Sequence, residues 1–119
     1  MVEDGDDLTL VPIVRDDGFD SSIAQHFGKA VQFALIYGDG TINIINNDFD
    51  HDDPDMTPVE QILDQYNVTR VVAYHIGRKA QMEFRKHGVK LLKAIDKTIG
   101  ELIQMVDQLE PITESDVFH

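Results

Sequence analysis

The sequence contains no cysteine, and only ten of its 119 residues are lysine or arginine. Without cysteine the chain has no disulfide, no thiolate nucleophile and no thiolate ligand for an iron–sulfur cluster, which leaves methionine as a weak sulfur ligand. The formal net charge of −12 argues against a general nucleic-acid-binding protein, which is normally basic. No apolar run approaches the length of a membrane span, and residues 1–7 are acidic where a signal peptide is basic. We therefore expect a soluble, cytoplasmic protein.

The few basic residues are concentrated in one part of the chain. Residues 70–97 contain eight of them against two acidic residues, a net charge of +6, whereas the rest contains two basic and twenty acidic residues, a net charge of −18. Such a positive island attracts anions, for example phosphate, carboxylate or a negatively charged metal–sulfide cluster. Arg78 and Lys79 are the strongest candidates, because they follow a glycine at a predicted helix start. A solvated helix surface of mixed charge is the simpler interpretation of four others: Arg85, Lys86, Lys90 and Lys93.

The apolar pattern predicts five strands and three helices. Strands are predicted at residues 8–14, 31–37, 41–46, 68–74 and 89–92. The Gly-Asp-Gly sequence at 38–40 joins the second and third strands into an antiparallel hairpin. Helices are predicted to begin after Thr57, Gly77 and Thr98, and Pro111 is predicted to end the last one. We expect one α/β domain over residues 8–110, a mixed five-stranded sheet flanked by helices, with flexible tails at 1–7 and 111–119.

Residues 46–55 are the most acidic passage and include His51. Clustered carboxylates of this kind can hold a hard cation such as calcium or magnesium. The spacing does not match a calcium loop, however, because the mid-loop glycine and the closing glutamate are missing. A solvated connection is therefore the favoured interpretation.

His26 is the residue that the predicted core explains least. It lies with Phe27 and Gly28 in a short polar loop between two apolar runs. An imidazole in such a loop is suited to be a metal ligand or a proton-handling group, and glycine lets the backbone approach a bound group closely. A turn histidine that hydrogen-bonds its own loop is equally compatible with these residue types.

Several short motifs follow one another in order along the chain. They are Leu-Val-Pro-Ile-Val at 10–14, Gln-His-Phe-Gly-Lys-Ala at 25–30, His-Ile-Gly-Arg-Lys-Ala at 75–80, His-Gly-Val at 87–89 and Thr-Ile-Gly-Glu at 98–101. Together they resemble the dinitrogenase iron-molybdenum cofactor biosynthesis family over residues 8–110. The resemblance implies a three-layer α/β domain of the ribonuclease H-like type. It also implies a non-catalytic carrier that transiently binds an iron–molybdenum or related metal–sulfide cluster, which brings its own sulfides and therefore needs no cysteine.

Topology predicts where such a cluster binds. In an open α/β sheet, ligands bind beyond the carboxyl ends of the parallel strands. His26 follows the first predicted strand and His75 the fourth, so both face one pocket if those strands are parallel neighbours. The helix after Gly77 directs its free amides and its dipole at the same space, which favours an anion. The predicted cofactor-binding residues are His26, Phe27, Gly28, Lys29, His75, Ile76, Gly77, Arg78 and Lys79, with His26 and His75 as metal ligands and Phe27 as a shield.

Two features limit what the resemblance implies. The family usually has a glycine pair where this chain has Tyr74 and His75, so His75 either adds a ligand or narrows the pocket. The family also often has proline at the position of Arg78. A metal-free interaction or regulatory module on the same fold is therefore an alternative, and a metal-dependent nuclease using the aspartates of residues 16–20 is a weaker one. We predict no catalytic residue, and metallocofactor assembly or acceptor proteins as partners.

Overall fold

Residues 7–49 and 54–112 are described by the computed structural model. This part of the chain forms six strands and three α-helices. The strands are β1 (Leu8–Ile13), β2 (Gln32–Tyr37), β3 (Ile42–Asn46), β4 (Arg70–Ala73), β5 (Lys90–Lys93) and β6 (Glu110–Pro111). The helices are α1 (Pro58–Gln65), α2 (Arg78–Lys86) and α3 (Ile99–Met105). The five predicted strands all occur, with ends shifted by at most two residues.

All six strands form one mixed sheet in the order β3-β2-β1-β4-β5-β6. The central pairs β1–β4 and β4–β5 are parallel, and the other neighbours are antiparallel. The predicted hairpin joins β2 to β3, where Gly40 adopts a positive φ of 91° that favours glycine in the tight turn. The first and fourth predicted strands are thus parallel neighbours, as the expected pocket requires.

Helices cover both faces of the sheet, which explains why β1 is buried along its whole length. On one face Leu10 packs in a core cluster with Ile62 of α1 and Phe84 of α2. On the other face Val11 packs in a second cluster with Leu102 of α3. The predicted α/β class with a mixed sheet and flanking helices is therefore confirmed.

Local sequence explains where the helices begin. The capping boxes predicted for α1 and α3 are both formed, because Thr57 and Thr98 each exchange hydrogen bonds with the glutamate three residues later. Helix α2 is different, since its N-cap residue is Gly77 and no side chain caps its first turn. Its first amide groups are therefore left for another partner.

The prediction of five strands was wrong by one, because β6 pairs antiparallel with β5 at the sheet edge. Helix α3 ends at Met105, so Pro111 is not a helix terminator but part of this edge strand, where a missing N–H is tolerated. Ile112 is buried, and its N–H donates to the carbonyl of Leu91 at 2.9 Å. Residues 111–112 therefore belong to the fold and not to a flexible tail.

Other predictions fall partly or wholly on residues that are not described. These are the tails at residues 1–6 and 113–119, and the part of the acidic passage that contains His51. Asp7, which was predicted to be in the first tail, accepts a hydrogen bond from the Thr69 hydroxyl at 3.2 Å. None of the helices in residues 7–49 and 54–112 has the length and hydropathy of a membrane span.

Candidate functional site

The loop after β1 folds back onto the carboxyl ends of the parallel strands. It pairs with β1 through an antiparallel bridge between Ile13 and Ile23, and then with the loop after β4 through a parallel bridge between His26 and His75. The His75 N–H donates to the Gln25 carbonyl at 3.0 Å, and the Phe27 N–H donates to the His75 carbonyl at 2.9 Å. The two histidines are therefore held side by side by backbone hydrogen bonds.

A second set of hydrogen bonds ties the same loop to the start of α3. The Ile23 N–H donates to the Lys97 carbonyl at 3.0 Å, and the Ile99 N–H donates to the Ser21 carbonyl at 3.0 Å. The Ala24 N–H donates to the Pro12 carbonyl of β1 at 2.8 Å. The loop is thus fixed to three elements at one edge of the sheet, although its composition predicted only a loop.

The imidazole rings of His26 and His75 stack on each other, with centroids 4.7 Å apart and an angle of 27° between the planes. His26 is exposed and His75 is half-buried, with the Tyr74 ring edge-on to it at 4.3 Å. Burial lowers the pKa of His75, and the charge on the neighbouring His26 lowers it further. His75 is therefore neutral at neutral pH, which is the protonation state that binds metal.

Phe27 and Ile76 have a different position from the one predicted. Phe27 is buried in the core, where its ring lies 5.1 Å from Phe33 and meets Phe84 edge-on at 5.6 Å. The predicted role of Phe27 as a shield over a bound group does not fit this inward orientation. Ile76 is only 1% exposed and belongs to the same cluster. These two residues anchor the loops that carry His26 and His75.

Gly28 and Gly77 lie next to the two histidines, and neither needs glycine for its own conformation. Neither has a positive φ, and a Cβ added at either position would have no heavy atom within 4 Å. By contrast, Gly18, Gly40 and Gly88 all adopt positive φ angles. The two site glycines therefore leave backbone exposed to open space, which lets a bound group come close to their amides.

Positively charged residues follow both of these glycines along the chain. Lys29 follows Gly28, and Arg78 and Lys79 form the first turn of α2 directly after Gly77; all three side chains are exposed. Among residues 7–49 and 54–112, neither Arg78 nor Lys79 makes an ion pair. The helix dipole adds to their field, so the site favours an anionic ligand.

Comparison with known protein families decides the assignment. Residues 9–109 match the model of the dinitrogenase iron-molybdenum cofactor family. The chain belongs to this family. No curated protein sequence matches it.

Several solved structures have the same fold at low sequence identity. The apo orange protein of Desulfovibrio gigas is 16% identical, with a TM-score of 0.73 over 89% of this chain and 92% of its own. A Thermotoga protein, TM1290, provisionally described as a NifB protein, is 22% identical, with a TM-score of 0.71 over 88% of this chain and 92% of its own. The protein PH0822 is 22% identical, with a TM-score of 0.68 over 90% of this chain and 97% of its own. At these identities the likeness shows the fold.

The ligand chemistry of the site limits what it can hold. In the described part of this family member, no three histidine, aspartate or glutamate side chains group to hold a metal ion. A single metal ion usually needs three or four protein ligands, so two imidazoles fit it poorly. They fit a preformed metal–sulfide cluster better, because its metals already carry sulfides and need only the open positions filled.

Gln81 is a buried polar residue of α2 that was not among the predicted site residues. It is 1% exposed, and its side-chain Nε2 donates to the Ile76 carbonyl at 3.0 Å, from α2 to the loop that carries His75. A glutamine in a strongly charged helix looks like a surface residue. Its spacing of three from Phe84 on the buried face was the available signal.

Proposed function

We propose that this chain is a non-catalytic carrier for an iron–molybdenum or related metal–sulfide cluster and acts as an accessory in metallocofactor assembly. Membership of a dinitrogenase iron-molybdenum cofactor family associates the chain with biosynthesis or binding of that cofactor. The observation that carries the proposal is the stacked pair of His26 and His75 at the carboxyl edge of the parallel strands.

In the proposed binding mode, three kinds of group contact the cluster. The imidazoles of His26 and His75 take up open metal positions on the cluster, which is the cargo and supplies its own sulfides. The exposed backbone at Gly28 and Gly77 lets the cluster approach the amides. Three cationic side chains, those of Lys29, Arg78 and Lys79, offset the negative charge of the cluster.

Several related statements remain predictions. The expected partners are the assembly proteins that give or receive the cluster, and the expected location is the cytoplasm. The single domain over residues 8–110 remains a prediction apart from residues 111–112, which belong to the fold. The ribonuclease H-like label also remains a prediction and carries no function by itself.

A metal-free interaction or regulatory module is the second candidate. The stacking favours this candidate, because the imidazole rings of His26 and His75 already pack against each other. Backbone hydrogen bonds between the two loops hold them in this position. The nuclease alternative gains no support. Asp16 accepts a hydrogen bond from the Gly18 N–H, and Asp17 pairs with Arg15 at 2.8 Å, so these carboxylates stabilise their own loop.

The deciding experiment is anaerobic incubation of the purified protein with iron, molybdate and sulfide, followed by visible absorption and metal analysis. We expect stoichiometric uptake of metal by the wild type, and weaker retention by both His26→Ala and His75→Ala. His87→Ala is the matched control, because this exposed histidine lies at the far end of α2 and contacts the Glu83 carbonyl. If no condition gives uptake, the interaction module becomes the better description; equal retention by all variants would remove both histidines from the site.

A further inference from the structure

Helix α2 presents an outer face made of one apolar side chain and four cations. With 3.6 residues per turn, these five exposed residues occupy an arc of about 120° with Met82 at its centre. The cations lie three and four residues before and after it. They are Arg78, Lys79, Arg85 and Lys86.

Two details separate this face from an ordinary solvated helix surface. Met82 is 62% exposed, although methionine is an apolar, adaptable side chain that usually fills gaps in a core or in a binding surface. The helix has one acidic residue, Glu83, which lies outside the arc and accepts a hydrogen bond from the Thr57 hydroxyl at 2.6 Å. The cations around Met82 are therefore not neutralised by an acidic residue of their own helix, although Arg85 also donates to the Ile112 carbonyl at 2.6 Å and Lys86 is attracted by Glu60 of α1.

We propose that this face of α2 is the docking surface for a partner protein whose complementary surface is acidic and has an apolar recess at its centre. An apolar centre that is desolvated and surrounded by charged groups is the usual anatomy of a specific protein interface. The charge ring would steer an acidic partner and fix its orientation, whereas Met82 would supply the buried contact.

The position of this face suggests which partner it serves. Helix α2 begins at Gly77, so the proposed cargo site lies at one end of a helix that is only about 13 Å long. A protein seated on this face is within reach of His75 and the exposed backbone beside it. The partner is therefore the protein that gives or receives the cluster, and this identification alone rests on the proposed function.

Other occupants are less compatible with the charges. A nucleic acid would meet a chain with a formal charge of −12, so only this small face would attract it. A second copy that docked through the same face would set these four cations against four identical ones, and the two faces would repel each other. An acidic protein meets the same overall repulsion as a nucleic acid, but it gains an apolar contact at Met82 that a nucleic acid does not supply.

Two labelled peptides of equal length and equal glutamate content test the proposal by fluorescence anisotropy. One carries leucines at its centre and the other serines. We expect the wild type to bind the leucine peptide about five-fold more tightly, because the leucines contact Met82. Added salt should weaken the binding of both peptides, whereas the preference for the leucine peptide should remain. Equal affinity for the two peptides would overturn the proposal.

Met82→Ser should abolish the preference for leucine and leave binding of the serine peptide unchanged. Phe19→Ser is the matched control, because Phe19 is similarly exposed, at 52%, but lies in a loop with Asp17 and Asp20. A preference that survives Met82→Ser, or that Phe19→Ser removes, would refute the docking surface. Sedimentation should show no self-association dependent on Met82; if it does, the occupant is a second copy and not a heterologous partner.

Failure of the docking surface and failure of the carrier can be told apart. Met82 does not belong to the proposed cargo site, so Met82→Ser should take up as much iron, molybdenum and sulfide as the wild type. The two surfaces share Arg78 and Lys79, and loss of uptake in this variant would show that Met82 belongs to the cargo site as well, contrary to the proposal. The peptide experiment needs no cluster and therefore gives its answer even if the protein never binds metal.

Discussion

Charged residues at the amino ends of the parallel strands, here called the amino edge, differ in environment from those at the carboxyl ends, the carboxyl edge. At the amino edge Arg70 is largely buried, donates to the Thr9 hydroxyl at 3.1 Å, and lies 3.2 Å from Asp107 and 3.8 Å from Asp7. At the carboxyl edge, among the residues that the structure describes, Arg78 and Lys79 are exposed and form no ion pair. A charge whose partners are built into the fold contributes to stability, whereas one left in open space beside a helix start is available to a ligand.

The largest expected effect is the loss of cluster retention when either His26 or His75 is removed. We expect His26→Ala and His75→Ala each to lower cluster retention by about ten-fold or more, because each removes a proposed metal ligand. The melting temperature of His26→Ala should change little, because an exposed side chain contributes little packing. Metal analysis after gel filtration, beside a thermal melt, measures both quantities. Unfolding of His26→Ala would mean that the histidine pair is a structural element.

Arg70→Met should affect stability and not binding. We expect a loss of about 1–3 kcal/mol in the free energy of unfolding, because the buried Thr9 hydroxyl and two carboxylates lose their partner. Arg78→Met, its counterpart at the other edge, should change stability by less than about 0.5 kcal/mol but weaken cluster retention. Urea denaturation measures the free energy of unfolding of both variants, and metal analysis measures their cluster retention. If the two variants lose equal stability, the contrast between the edges is wrong.

Gly28→Ala should lower cluster retention without lowering the stability of the fold. Its φ is not positive and its Cβ would meet open space, so stability should stay the same or rise by about 0.4–1 kcal/mol. The added methyl group would stand where the cluster approaches the backbone, and retention should fall. Gly88→Ala is the control: its φ of 77° should make the substitution cost about 1–2 kcal/mol with retention unchanged. Full retention by Gly28→Ala would show that no cargo contacts this backbone.

The smallest expected effect is a pH dependence of the metal-free protein that originates from His75. Because burial lowers the pKa of His75 in the folded state, the unfolded chain takes up a proton first as the pH falls. This contribution to stability is fully present above the unfolded pKa of about 6.5 and is lost as the pH falls from there toward the lower folded pKa. His75→Gln should reduce the loss of stability on acidification, which urea titrations at several pH values would measure. An identical pH profile in this variant would contradict the assignment.

The part of the site that follows from chain topology was predictable from the sequence. The apolar pattern predicted the strands that His26 and His75 follow, and the two residues come together because those strands are parallel neighbours, which was a condition of the predicted pocket. The stacking of their rings was not predictable, since it depends on backbone pairing between two loops without periodic sequence. Strand β6 was not predicted, because its two residues are too few to show an alternation of apolar and polar side chains.

Burial in short loops was the other source of error. Phe27 follows an exposed histidine in a polar segment, and only the fold shows that its ring points into a cluster with Phe33 and Phe84. Gln81 was hidden by the charged residues around it in α2, although it lies on the buried face. Phe27 is thus fixed partly by Phe84, which is distant in sequence, whereas Gln81 bonds the nearby Ile76 carbonyl and only its helical spacing from Phe84 indicated burial.

The hydrogen bonds that fasten the loop after β1 to three neighbouring elements also determine the entropy of binding. When a loop becomes ordered only on binding, its loss of conformational entropy makes the free energy of binding less favourable. Here the segment from Ser21 to Phe27 is already paired with β1, with the loop after β4 and with the start of α3 before any ligand arrives. The site is therefore preorganised, so the conformational entropy of this segment was lost when the chain folded and not at the moment of capture.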